Sequence, residues 1–280
     1  MIKRLEPIYA LSIPAVVWID LRKLLSITAA PLALLVAALK SIDDQNLVLP
    51  GSIYRHPRHR PTREYLASMR FERLLLEASE PQANGLPPGF QPCHTFTVER
   101  DLDQIVTSLA RAVSEGCLVD DLAKRAIWFT LNEVAQNVVH HASATSGGVA
   151  AASIDSDAKQ FELAIADCGV GVRSSLSRNV TYAELHDDAE ALEAALRVGV
   201  TSNPDGNTGL GLAIGTFLAR LNGGSLFMRS GTAMVQAGHT YRITKELTSL
   251  PGSLVAVRLR TDQPLDLAPV MARLQASTTV

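Results

Sequence analysis

Glu133 and Asn137 stand four residues apart in Asp120 to Ala142, a segment whose apolar residues recur at helical spacing. At about 100° per residue, Ile127, Leu131, Val134, Val138 and Ala142 share one face, and Glu133, Asn137 and either His140 or His141 form a polar stripe beside it. A carboxylate and a carboxamide one turn apart offer the oxygen ligands that Mg²⁺ takes, or can orient a water. The same pair also fits the wet edge of an ordinary helix. The two adjacent histidines diverge on a helix and show neither Glu-x-x-His nor His-x-x-x-His spacing, so zinc is not indicated.

Two glycine-bearing motifs follow. Asp167-Cys168-Gly169-Val170-Gly171 comes directly after the strand-like run Phe161 to Ala166. A carboxylate at a strand end can accept a hydrogen bond from an exocyclic amine, and the two glycines let the backbone turn and approach a flat ligand. A plain turn fits these residues too. Gly206-Asn207-Thr208-Gly209-Leu210-Gly211-Leu212-Ala213-Ile214-Gly215 runs from a polar loop into a helix start, where free N–H groups suit a phosphate. Its Gly-x-Gly-x-x-x-Gly spacing and the polar segment Thr201 to Thr208 ahead of it exclude a Rossmann fingerprint.

The elements that must position these residues divide at Pro81 to Pro92, a segment with four of the fourteen prolines that reads as a linker. Ahead of it, periodicity predicts short strands around Ile8 to Ile19, a helix over Pro31 to Ser41, a strand at Asn46 to Pro50, a solvated basic loop at Ser52 to Arg63 and a helix from about Thr62 to Ala78. Behind it come a strand near His94 to Val98 and helices at Leu102 to Ser114 and Asp120 to Ala142. Two alternating strands follow at Val149 to Asp155 and Phe161 to Ala166, then a helix at Gly211 to Leu221. Strands at Ser225 to Ser230, Ala233 to Gln236, His239 to Glu246 and Leu254 to Arg260 close the pattern. Helices first and mostly antiparallel strands afterwards predict an α+β two-layer sandwich, with helices on one face of a mixed sheet. The expected division is 1–80, a linker at 81–93, a larger unit at 94–262 and a tail at 263–280.

All three motifs, in this order, resemble the GHKL (Bergerat) ATPase superfamily, which includes gyrase, heat-shock chaperone ATPases and histidine kinases. Glu133-Val134-Ala135-Gln136-Asn137-Val138-Val139-His140 is similar to its N box. Gly252-Ser253-Leu254-Val255-Ala256-Val257 resembles its closing strand, with serine where threonine is usual, and the resemblance spans about residues 94 to 262. It implies ATP and Mg²⁺ as ligands, with Asn137 on the metal, Asp167 reading the adenine amino group and Glu133 as general base. Gly169, Gly171, Thr208, Gly209, Leu210, Gly211 and Ser253 would be further nucleotide contacts, the amides of Gly209 and Gly211 lying at the phosphates. Between the two glycine motifs, the segment Val172 to Thr208 offers Arg173, Arg178 and Arg197 with Thr201-Ser202 as candidates for the γ-phosphate. Cys168 reads as an unreactive spacer.

Residues 1–80 resemble a small α/β STAS-like module, without an acceptor serine: Thr28-Ala29-Ala30-Pro31 stands where Asp-Ser-Ser/Thr-Gly is usual. The combination is closest to anti-sigma-factor-type serine kinases, which implies a STAS or sigma-factor-like protein partner. A non-catalytic nucleotide-dependent interaction module is the alternative, and a homodimer stays open. A gyrase-type clamp would add a transducer domain, for which Gln263 to Val280 is too short.

Composition bounds the remaining classes. At 280 residues, 47% hydrophobic and 19% charged, with a net charge of -2, the chain reads as globular, without the basic footprint of a nucleic-acid binder. Leu24 to Leu39 is too short and too closely flanked by charge for a membrane span or signal peptide. Three cysteines without CxxC spacing point to neither a disulfide framework nor a thiolate metal site, so a cytoplasmic protein is expected.

Overall fold

The computed structural model describes residues 7–49, 52–68, 71, 93–117, 120–141, 147–203 and 208–272. In chain order these form β1 (Trp18–Asp20), α1 (Ala29–Asp44), β2 (Ile53–Arg55), α2 (Arg60–Ser68), β3 (His94–Phe96), α3 (Glu99–Cys117) and α4 (Asp121–His141). Then come β4 (Gly148–Asp155), β5 (Gln160–Asp167), α5 (Gly171–Leu176), α6 (Asp188–Ala195), α7 (Gly211–Leu221), β6 (Ser225–Gly231), β7 (Ala233–Gly238), β8 (Tyr241–Thr244) and β9 (Leu250–Arg260).

Seven strands make one sheet in the order β3-β4-β5-β9-β6-β7-β8. Every pairing in it is antiparallel, so the expected mixed sheet is instead antiparallel throughout its described strands. Side chains alternate across it. Phe161, Leu163 and Ile165 of β5, Val255, Val257 and Leu259 of β9, and Leu226 and Met228 of β6 point into one core, which α3, α4, α6 and α7 cover.

The opposite face is covered as well, which corrects the expectation of helices on one face only. Val149 and Ala151 of β4, Ala164 and Ala166 of β5, and Leu254 and Ala256 of β9 form a second core with α1. Strands β4 and β5 are therefore buried on both sides, where the sequence reads as alternating. Small residues on that face let α1 come close. Helix α1 itself is buried on nearly its whole circumference, with the main sheet on one side and β1, β2 and α2 residues on the other. The unit expected at 1–80 thus shares a core with the main sheet.

Strands β1 and β2 are parallel and α1 is the crossover between them, a βαβ unit. Two local readings change. Where a strand is expected at Asn46 to Pro50, the described residues 46–49 contribute an isolated bridge, Ala15 to Val48, and the pairing strand lies further on, inside the segment read as a basic loop. Residues 7–9 are a helical turn, so of the short strands expected around Ile8 to Ile19 the one at Trp18–Asp20 forms. The linker at 81–92 lies outside the described residues. At the other end, Leu265 and Val270 return to the inner core, so the described part of the expected tail is packed. No helix among the described residues is long and apolar enough to cross a membrane.

Candidate functional site

The floor of the candidate site follows from strand register. Asp167 of β5 sits opposite Ser253 of β9, which sits opposite Ser230 of β6; one step inward, Ile165, Val255 and Met228 form the corresponding apolar row. A polar row beside an apolar one suits a flat ring with a polar edge. Helix α4 forms one wall and the loop entering α7 another. Together they enclose a cavity of about 300 Å³, at the small end of small-molecule sites.

Of the ten residues singled out from sequence, Glu133, Asn137, Gly171, Thr208, Gly209, Leu210, Gly211 and Ser253 line this one cavity. Asp167 and Gly169 do not. Asp167 is only 1% exposed, and its two oxygens are already engaged: Ser253 Oγ donates to Oδ2 at 2.6 Å and the Gly169 N–H donates to Oδ1 at 2.7 Å. Burial pushes its carboxyl above the usual carboxylate range, and these hydrogen bonds pull the other way. Ser253 is the member of the pair that reaches the cavity, with the carboxylate just beneath it.

Gly211 explains how α7 meets α4. A Cβ at position 211 would lie 2.6 Å from Glu133 Oε2 and 2.7 Å from Glu133 Cβ, so only glycine lets the start of α7 rest against the α4 carboxylate. Gly209 has a φ of +65°, and its carbonyl accepts from the Gly199 N–H, which folds the loop back on itself. No side chain caps α7, so its first N–H groups are free for an anion, favoured by the helix dipole. Asn207 and Gly206 lie outside the described residues, as do the side chains of His140 and His141.

Among the described residues lining the cavity, Glu133 is the one charged side chain, and burial raises its carboxyl. No lysine or arginine is among the described residues lining it. Arg173, Arg178 and Arg197 are exposed and off its wall, with Arg173 Nε donating to the Leu185 carbonyl at 3.1 Å. Cys168 turns away from the cavity into the outer core, where burial lifts its thiol to about 12, in keeping with an inert spacer.

Of the candidates between the two glycine motifs, Thr201 and Ser202 do line the cavity: the Asn179 amide donates to the Thr201 carbonyl and Ser175 Oγ to Ser202 Oγ, tying the loop to α5 and the turn after it. Ile165, Met228 and Val255 were not foreseen; they follow once strand parity is fixed, because they lie in register with one another, two residues from the Asp167, Ser253 and Ser230 row. No group of three or more metal-ligating side chains occurs among the described residues. No protein-family model matches this chain, and no curated protein matches it significantly.

Proposed function

We propose that this chain is an ATP-binding regulator of the Bergerat type, acting as a protein serine/threonine kinase of the anti-sigma-factor kind or as an ATPase switch. The observation that carries the reading is convergence: residues between 133 and 255, from α4, the glycine loop entering α7 and the three strands β5, β6 and β9, line one cavity in complementary roles. Ile165, Val255 and Met228 would hold the base, and Ser253 with Asp167 would present an acceptor to its amino group. The free amides at the start of α7 would take the phosphates.

The residues present fit a magnesium ion. An anion at the start of α7 would lie beside the Glu133 carboxylate with no cationic side chain among the described lining residues, so a divalent cation would relieve the repulsion. Mg²⁺ keeps several waters and needs only one or two protein oxygens besides phosphate; Asn137 supplies one of them. When bound, the ion would neutralise phosphate charge. Glu133, raised by burial, is suited to take a proton from the attacking hydroxyl or water. The βαβ unit of β1, α1 and β2 would be a STAS-like docking module for a protein partner.

Incubation with Mg·ATP labelled on the γ-phosphate, alone and with host lysate, tests this. Free phosphate identifies an ATPase and a labelled partner identifies a kinase. Bound but intact ATP assigns the chain to the non-catalytic alternative.

A further inference from the structure

The outer face of the main sheet holds a second cavity, of about 510 Å³, where α1 stops short of β6 and β7. Its floor is set by strand parity: Ser225, Phe227 and Arg229 of β6 lie opposite Arg258, Ala256 and Leu254 of β9. Four residues separate the two ends, roughly 13 Å along the strands. The start of α1 forms the roof, with Thr28, Pro31 and Leu34 on the wall.

Charge is distributed unevenly over this floor. At one end Glu162 is satisfied twice: its Oε1 accepts from the Ala30 N–H at 2.9 Å, and its Oε2 accepts from Arg258 Nη2 at 2.7 Å. At the other end Arg229 is 3% exposed and donates only to the Thr248 carbonyl, and its Nε has no hydrogen-bond partner among the described residues. No ion pair of Arg229 with any described carboxylate is present. Among the described residues, Tyr9 is the titratable group whose charge would act on Arg229; burial raises its hydroxyl and keeps it neutral, so it cannot balance the charge. A buried guanidinium without a counter-anion is costly, and natural structures rarely leave one.

We propose that this outer cavity binds a small carboxylic acid with an apolar body, its carboxylate pairing with Arg229 and its body lying on Phe227, Leu34, Leu254 and Ala256. The apolar wall and single unmatched cation favour a monoanion of this kind over phosphate, which would need more donors than this end of the cavity offers. The site lies on the sheet face opposite the first cavity and does not depend on what that cavity binds.

The test is thermal unfolding of the full chain at matched ionic strength with hexanoate, benzoate and phenylacetate, their neutral amides, and inorganic phosphate. At ten times its dissociation constant, at least one carboxylate should raise the midpoint by about 3 °C or more, and its amide should not. Arg229→Met should abolish the shift, and Arg229→Lys should keep part of it. Without added anion, Arg229→Met should unfold at or above the wild-type temperature, since it removes an unbalanced charge. The proposal is overturned if no carboxylate acts, if an amide acts equally, or if the shift survives in Arg229→Met. A lower midpoint for ligand-free Arg229→Met would also overturn it, by placing the counter-charge within the chain. A shift through Arg229 with phosphate alone would overturn the carboxylate assignment.

Discussion

On the inner face of the main sheet, one cavity carries a single carboxylate, Glu133, and no lysine or arginine among its described lining residues. On the outer face, the other carries Arg229 and Arg258 against Glu162. The same strands build both floors, because odd-numbered residues of β5 and β9 point inward and even-numbered residues point outward. The two faces would meet an anion differently. Inside, binding would rest on backbone amides, a helix dipole and a shared cation; outside, a buried guanidinium is available. The inner face also gathers polar groups from distant segments, while the outer face is mainly the seat of α1.

The contrast is sharpest in its effects on rate. Glu133→Gln keeps shape and removes basicity, so turnover or partner phosphorylation should fall roughly 10²–10⁴-fold, with nucleotide affinity nearly unchanged. Steady-state phosphate release beside equilibrium binding checks this; equal loss in both would make Glu133 a binding residue.

The outer face should answer in stability instead. Leu32 of α1 is fully buried, and Leu32→Ala should cost about 2–5 kcal/mol in denaturant unfolding, with nucleotide affinity of the folded protein unchanged. Because α1 shares a core with β4, β5 and β9, the wild type should unfold in one transition that shifts as a whole. Two transitions, only one of them displaced, would separate the N-terminal unit from the sheet.

Much of the inner face was legible in the sequence, and for a definite reason. Helix α4 and the run Gly211 to Leu221 are long enough to read as helices from residue spacing, and the two glycine motifs fall at element ends, after β5 and before α7, where glycine and carboxylate have a positional meaning. The outer face was not legible. In Phe161-Glu162-Leu163-Ala164-Ile165-Ala166 the even positions read as solvent-facing, because alanine gives little hydrophobic signal and glutamate argues for water. Their burial comes from α1, more than a hundred residues earlier in the chain, which no local pattern reveals. Arg229 is hidden in the same way, as a charged residue in an alternating strand. The candidates between the two glycine motifs divide: Thr201 and Ser202 line the cavity, while Arg173, Arg178 and Arg197 stand on exposed surface off its wall, a difference that residue type alone does not reveal.

A smaller effect is expected beneath the inner floor. Asp167→Asn should weaken ATP by roughly 5- to 150-fold, equivalent to about 1–3 kcal/mol for a buried polar group left mismatched. Ser253→Ala should follow it, since Ser253 links Asp167 to the cavity. An undiminished affinity in both would remove this pair from recognition.

The smallest effect concerns pH. Burial raises the folded-state carboxyl of Glu133 above its unfolded value, so its contribution favours the folded state below the unfolded value and is lost as pH rises through the folded one. Glu133→Gln should therefore raise the unfolding midpoint at pH 8, by on the order of 1–3 °C, and the gain should vanish as pH falls through the carboxyl's range. A gain independent of pH would locate its origin elsewhere than in the charge.

The central claim, that the inner cavity takes Mg·ATP, is most directly tested by calorimetric titration of the full chain with ATP and GTP, each with and without Mg²⁺. The account predicts one ATP per chain, GTP at least tenfold weaker, and a Mg²⁺-dependent part of the affinity that disappears in Asn137→Ala while the unfolding midpoint holds. Equal affinity for ATP and GTP, or no heat with either, would contradict it.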